Sequence, residues 1–62
     1  MKAHVGDTLH IRSAHIDEPD RRGNILEVHG ADGAPPYLIR WDGTGHEALV
    51  YPGPDAMVEL PE

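Results

Sequence analysis

Five histidines, at positions 4, 10, 15, 29 and 46, have the widest chemical repertoire in this 62-residue chain. Imidazole ligates metals and moves protons near neutral pH, so each is read first against those two roles. Three imidazoles, or two with a carboxylate, hold zinc when they converge and when further groups orient the rings. The spacing brings no such set together, and no metal is assigned. His46-Glu47 begins like H-E-x-x-H, but position 50 is Val50 and the segment alternates like a strand, so the helical face of that motif is missing. A histidine beside a carboxylate is also the form of a general base. For His46 we adopt the structural reading, a ring that caps the preceding turn or packs on a neighbouring ring.

The hydroxyls are Thr8, Ser13, Thr44, Tyr37 and Tyr51, and none lies in a G-x-S-x-G elbow. Gly43-Thr44-Gly45 is followed by neither a lysine nor a helix, so it is no phosphate cradle. The chain has no cysteine, which excludes a disulfide, a thiolate zinc site and a cysteine nucleophile. A single domain of this size buries only about 60% of the surface its unfolded form exposes, and side chains fill a barrel that small. No catalytic residue and no cofactor is assigned, and the chain is read as non-enzymatic.

Eleven acidic residues against five basic ones give a formal net charge of -6. That charge repels phosphate backbones and anionic lipid, so nucleic acid and membrane are disfavoured as partners. The adjacent basic pair Arg21-Arg22 follows Asp17, Glu18 and Asp20 and is read as self-neutralised. The opening M-K-A-H-V-G-D lacks the apolar run of a signal peptide, and no segment reaches membrane-spanning length. Together with the missing cysteines, these features predict a cytoplasmic domain.

The elements that must position these groups are strands. Val5-Gly6-Asp7 reads as a turn, and Thr8 to Arg12 alternates with Leu9 and Ile11 inward. Ser13 to Arg22 is a polar loop that Pro19 keeps from being helical, with Ile16 expected to pin it to the barrel rim. The second strand, Ile25 to His29, has two adjacent apolar residues that predict a β-bulge. Asp32-Gly33 supplies a positive φ, and Pro35-Pro36 stiffens the approach to the third strand. That strand, Tyr37 to Trp41, puts Tyr37, Ile39 and Trp41 on one face and Leu38 and Arg40 on the other. Asp42 to Gly45 turns into a fourth strand, His46 to Tyr51, which brings an aromatic from each strand within reach. Pro52 to Asp55 must turn, with one short 3₁₀ turn through Asp55-Ala56. Met57 to Leu60 is a last strand and Pro61-Glu62 a tail. The plan is an all-β, five-stranded antiparallel barrel forming a single domain over residues 1–62.

The run G-N-I-L-E-V-H-G-A-D-G-A-P-P-Y-L-I-R-W-D-G-T-G-H-E-A-L-V-Y-P-G-P-D-A, with the opening K-A-x-V-G-D, resembles a family of small actinobacterial domains of unknown function with an SH3-like barrel. The resemblance implies that fold and a bacterial setting. It implies no reaction, and it carries no catalytic residue over. SH3-like barrels at large bind peptides, modified side chains, RNA or other proteins, an analogy of fold alone.

Strand parity then assigns the surface. If Ile39 points inward, Tyr37 and Trp41 follow it, and the tryptophan becomes the keystone of a core that has no phenylalanine. Leu38 and Arg40 are left outside. The predicted binding surface is Leu38, Arg40, Tyr51, His46 and Glu47, with Asp42 and Glu47 favouring a basic partner. A protein partner is expected, a second copy of the chain among the candidates. The alternative is single-stranded nucleic acid held by Arg12, Arg21, Arg22 and Arg40 with one aromatic, and a less favoured one is a histidine-based metal site.

Overall fold

Five alternating stretches become five strands: β1 (Thr8–Ile11), β2 (Arg21–Val28), β3 (Tyr37–Trp41), β4 (Glu47–Val50) and β5 (Ala56–Glu59). The structure, a computed structural model, describes residues 1–60; the Pro61-Glu62 tail lies outside the described residues. All strands pair antiparallel in one sheet of order β4-β3-β2-β1-β5. Each strand through β4 lies beside the one before it, and β5 returns to β1. This is the expected SH3-like arrangement.

The bulge falls where the adjacent apolar residues predicted it, between Ile25 and Glu27 on β2. Strict alternation from a buried Ile25 would turn the carboxylate of Glu27 into the core. The extra residue, Leu26, shifts the phase so that Glu27 lies opposite Leu38 and Val28 opposite Tyr37. Val28 can therefore pack on the core while Glu27 stays exposed. The bulge also bends β2, which lets one strand serve both halves of the barrel. The strand starts at Arg21, so Arg21-Arg22 belong to the ladder, opposite Ile11 and His10, and not to the preceding loop.

The core consists of Ala3, Leu9, Ile25, Tyr37 and Ile39, with Ile11, Val28, Trp41, Val50, Ala56 and Val58 packed around it. Parity on β3 is as predicted, but the keystone is Tyr37, which is fully buried, and not Trp41, which is half-buried. The reason lies across the ladder. Trp41 sits opposite Gly23, which has no side chain to cover it, and β3–β4 pairing stops at Arg40 and Glu47. Tyr37 sits between Val28 and Val50 instead. No aromatic pair forms across β3 and β4, because β4 ends before Tyr51, which is 76% exposed.

A buried phenol needs a partner for its O–H. The Tyr37 hydroxyl donates to the Gly33 carbonyl at 2.7 Å, and the same carbonyl accepts the Ala3 N–H at 2.9 Å. Gly33 ends a single 3₁₀ turn, Ala31–Gly33, in which Asp32 and Gly33 both take positive φ, 57° and 84°. Ahead of β5 there is a hydrogen-bonded turn, Ala56 N–H to Gly53 C=O at 3.1 Å, in place of the 3₁₀ turn expected at Asp55-Ala56; the one 3₁₀ turn among the described residues lies before β3. Gly30 starts the same loop. A Cβ there would lie 2.4 Å from the carbonyl oxygens of both Ala34 and Pro35.

Loop 12–20 is not pinned by Ile16, which is fully exposed. Local bonds turn the chain outward instead: His15 N–H to Ser13 Oγ at 3.1 Å and Glu18 N–H to the His15 carbonyl at 3.2 Å.

The Tyr37 loop makes two variants informative about stability. Tyr37→Phe should lose about 1 kcal/mol in urea unfolding at neutral pH, the worth of one hydrogen bond. Burial pushes the Tyr37 hydroxyl above its ordinary value, so the folded state holds the proton longer than the unfolded chain. This group's contribution is full below about pH 10 and is lost as pH rises beyond it, so the alkaline fall in stability should be shallower in Tyr37→Phe. Gly30→Ala should cost at least about 2 kcal/mol by thermal or urea denaturation, because the clashing atoms are backbone and cannot rotate away.

Candidate functional site

Outward parity on β2, β3 and β4 builds two rows across the sheet. Glu27, Leu38 and Leu49 lie side by side in the first, and Asn24, Arg40 and Glu47 in the second. Directly opposed residues on antiparallel strands have Cβ atoms about 4.5–5.5 Å apart, so the pairing of Leu38 with Leu49 sets them side by side as one apolar patch. Leu49 is 51% exposed, and Tyr51, just past the end of β4, is exposed as well. β4 is an edge strand with nothing hydrogen-bonded on its outer side among the described residues.

Of the predicted surface, the pairing sets Leu38, which is half-buried, Arg40 and Glu47 on this face, while Tyr51 lies beyond the end of β4. Arg40 and Glu47 approach to 3.7 Å with both side chains about half exposed, a contact worth little to stability. Its consequence is orientation: Glu47 turns toward Arg40 and not toward His46. The His46 ring does not cap the turn. Thr44 does so, its Oγ1 accepting the His46 N–H at 3.3 Å, while the His46 carbonyl accepts the Trp41 N–H at 2.8 Å. Leu49, absent from the predicted surface, is its most apolar exposed member; only the register with Leu38 reveals it.

The alternative, basic set is divided. Arg21, Arg22 and Trp41 line one open groove of about 390 Å³ at the end of the barrel, together with Pro19, Asp20 and Asp42. The Arg21 guanidinium lies 3.9 Å over the Trp41 ring, a cation–π contact that covers the face Gly23 leaves bare. Arg22 is drawn to Glu59, with Nε 3.2 Å from Oε1. Arg40, next to Trp41 on β3, is turned to the opposite face of that strand and pairs with Glu47.

Outside β1 lies a cluster the sequence reading did not foresee. His10 Nε2 is 2.8 Å from Asp20 Oδ2, and Nδ1 is 3.2 Å from Glu59 Oε1, with the ring only 17% exposed. Asp20 Oδ1 also accepts the Ser13 N–H at 2.8 Å. That backbone bond, and then the His10 ring, hold the Asp20 carboxyl below its ordinary value. The contribution of Asp20 is present above the usual carboxylate range and is lost as pH falls through its lowered pKa. The sequence signal was an outward histidine on one strand and three acids ahead of the next. His29 pairs with Glu27 at 2.9 Å, and the buried Asp7 caps the turn before β1 by accepting the His4 N–H at 2.9 Å. Among the described residues no three His, Asp or Glu side chains converge as a metal ion requires, and no helix is long and apolar enough to cross a membrane.

The family description "Domain of unknown function (DUF1918)" matches residues 1–58. "Uncharacterized protein Rv0569" of Mycobacterium tuberculosis is 58% identical over 62 residues, all of this chain and 70% of that protein. "Uncharacterized protein Rv2302" of the same organism and "Uncharacterized protein Mb2324" of Mycobacterium bovis are each 48% identical over 58 residues, covering 94% of this chain and 72% of theirs. No solved structure matches.

A surface patch and a core differ in what substitution costs. Leu49→Asp should leave urea-unfolding stability within about 0.5 kcal/mol of the parent. Ile39→Ala, one residue from Leu38 but fully buried, should cost about 2–4 kcal/mol.

Proposed function

The chain belongs to the DUF1918 family of domains of unknown function, and we propose that it is a small non-enzymatic binding module of the bacterial cytoplasm whose partner is a protein. The observation that carries this reading is the Leu38–Leu49 patch beside the free edge strand β4, with the exposed Tyr51 just beyond that strand's end. An apolar centre on a rigid sheet with a charged rim is the anatomy of a recognition surface. Glu27 and Glu47 border the patch, and the net charge of -6 adds a long-range field that draws a basic partner. Support for a non-enzymatic role comes from how the fold uses its reactive groups. His10, His29 and Asp7 are each engaged by neighbouring groups, and Glu47 is paired with Arg40.

A second reading has one favourable observation: Trp41 and two arginines share a groove. Single-stranded nucleic acid would stack on such a ring and pair its phosphates with such cations. Against it, Arg21 already covers the ring and Arg22 is paired with Glu59.

The test is affinity capture from bacterial lysate with the parent chain, Leu38→Asp and Leu49→Asp. A basic protein recovered by the parent and lost at least about tenfold by both variants is expected, since each variant places a charge at the contact centre. Equal recovery of the same proteins by all three would overturn the surface. If the partner is a second copy, the parent sediments as a dimer and Leu49→Asp as a monomer. Binding of a fluorescent single-stranded oligonucleotide that falls steeply between low and moderate salt would move the assignment to the groove.

A further inference from the structure

Loop 12–20 is tied to the barrel by little beyond its first residue, where the Arg12 N–H donates to the Asp55 carbonyl at 2.9 Å. Residues 14–20 are all exposed, and Ile16 contributes no buried contact. Among the described residues, the only side-chain hydrogen bond or ion pair joining residues 13–20 to a strand is His10 Nε2 to Asp20 Oδ2, at 2.8 Å. The other oxygen of that carboxylate accepts the Ser13 N–H at 2.8 Å and closes the loop upon itself. One carboxylate therefore fixes both ends of the loop.

The hydrogen-bond count on the ring decides when that fixation is strong. Both ring nitrogens face carboxylate oxygens, Asp20 on one side and Glu59 on the other. Carboxylates only accept, and a neutral imidazole has one N–H, so only the protonated ring donates to both. A neutral ring leaves one nitrogen lone pair against an oxygen. Glu59 has a second partner in Arg22 Nε at 3.2 Å, so it can turn away, and the bond to Asp20 then keeps its ionised acceptor but loses the donor's positive charge and the ion-pair attraction that came with it. The charged groups facing the ring are Asp20 from the loop, Glu59 from β5 and Arg22 from β2, and its β5 neighbour Met57 is uncharged. Arg12 acts on the same cluster through Asp20.

The loop that this bond holds down also walls the groove, because Pro19 and Asp20 line it together with Trp41. We propose that His10 and Asp20 form a pH-operated latch, which holds loop 12–20 beside the Arg21–Trp41 groove while the ring is protonated and lets it lift when the ring is neutral. The latch also opens in acid, as Asp20 takes up a proton. Closure is therefore confined to the interval in which Asp20 is ionised and His10 is charged.

Trp41 is the only tryptophan, so its emission reports the groove directly. The experiment follows acrylamide quenching of Trp41 and the exchange protection of the Ser13 amide, corrected for intrinsic rate, between about pH 5 and 8, where imidazoles titrate. In the parent chain Ser13 protection should fall at least about fivefold across the range, the weakening expected for one charge-assisted bond, while the quenching constant rises. Leu9 and Ile39 amides should stay protected, which marks the change as local. His10→Gln, which retains a neutral donor, should show no step, and Asp20→Asn should be open at every pH. A flat parent profile, or a step of unchanged size in His10→Gln, overturns the latch. Asp20 lies in an exposed loop, so Asp20→Asn keeps the test decisive should His10→Gln fail to fold: an Asp20→Asn profile matching the parent also overturns it.

Discussion

The barrel depends on one buried hydroxyl. Tyr37 is the largest fully buried side chain, and its ring fills the space between Val28 and Val50 that no phenylalanine is present to fill. The ring can stay there only if its O–H is satisfied, since an unpaired buried hydroxyl costs about 1–3 kcal/mol. The carbonyl that satisfies it belongs to Gly33, and that carbonyl is presented by two successive residues at positive φ. The second acceptor site of the same oxygen holds Ala3, which brings the N-terminal segment over the core. A tight turn, a core ring and the chain's first residues are thus joined at one atom. In a domain this small, with no disulfide to restrain it, such a junction replaces a good part of the missing core.

The second constraint is the phase of β2. A strand with period two cannot bury Ile25 and Val28 together, because three steps reverse the face. One bulged residue restores the match, and it keeps the Glu27 carboxylate in water beside Leu38. The outer face of β2, β3 and β4 thus owes its composition to a defect in the ladder. Without the shift, Glu27 would be driven inward and Val28 outward, and the apolar patch would have no acidic border.

Parity and turn chemistry were readable from residue types alone. Leu9, Ile11, Tyr37 and Ile39 face inward as alternation requires, and Asp32-Gly33 takes the conformation that such a pair favours. What could not be read was register. The burial of Trp41 depends on what stands opposite it, and Gly23 becomes its neighbour only through pairing. Leu49 becomes part of the patch for the same reason, through Leu38. Ile16 failed as an anchor because apolar character in a loop says nothing of direction when Ser13, His15 and Glu18 satisfy one another locally. The His10 cluster draws on β1, the 12–20 loop and β5, so its members are far apart in sequence and meet only through the fold.

Position in the barrel separates the two sites in a way that bears on how each can work. The apolar patch is carried by β3 and β4, whose inner faces are clamped by Tyr37 and Ile39, so it is presented by backbone with little freedom. The His10–Asp20 contact lies over β1 and β5 and holds a segment with no buried side chain of its own. Rigid presentation suits a recognition surface, because a partner then loses less entropy in ordering it. Loose attachment suits a moving part, because a single bond between two titrating groups can decide its position. β2 is shared by both halves, but it is bent at Leu26, between the stretch that faces β1 and the Glu27 that faces Leu38. A displacement of the 12–20 loop reaches Arg21 and Arg22 first, at the far end of that strand from the bulge. The groove beside Trp41 can therefore open without disturbing the packing that sets Leu38 against Leu49.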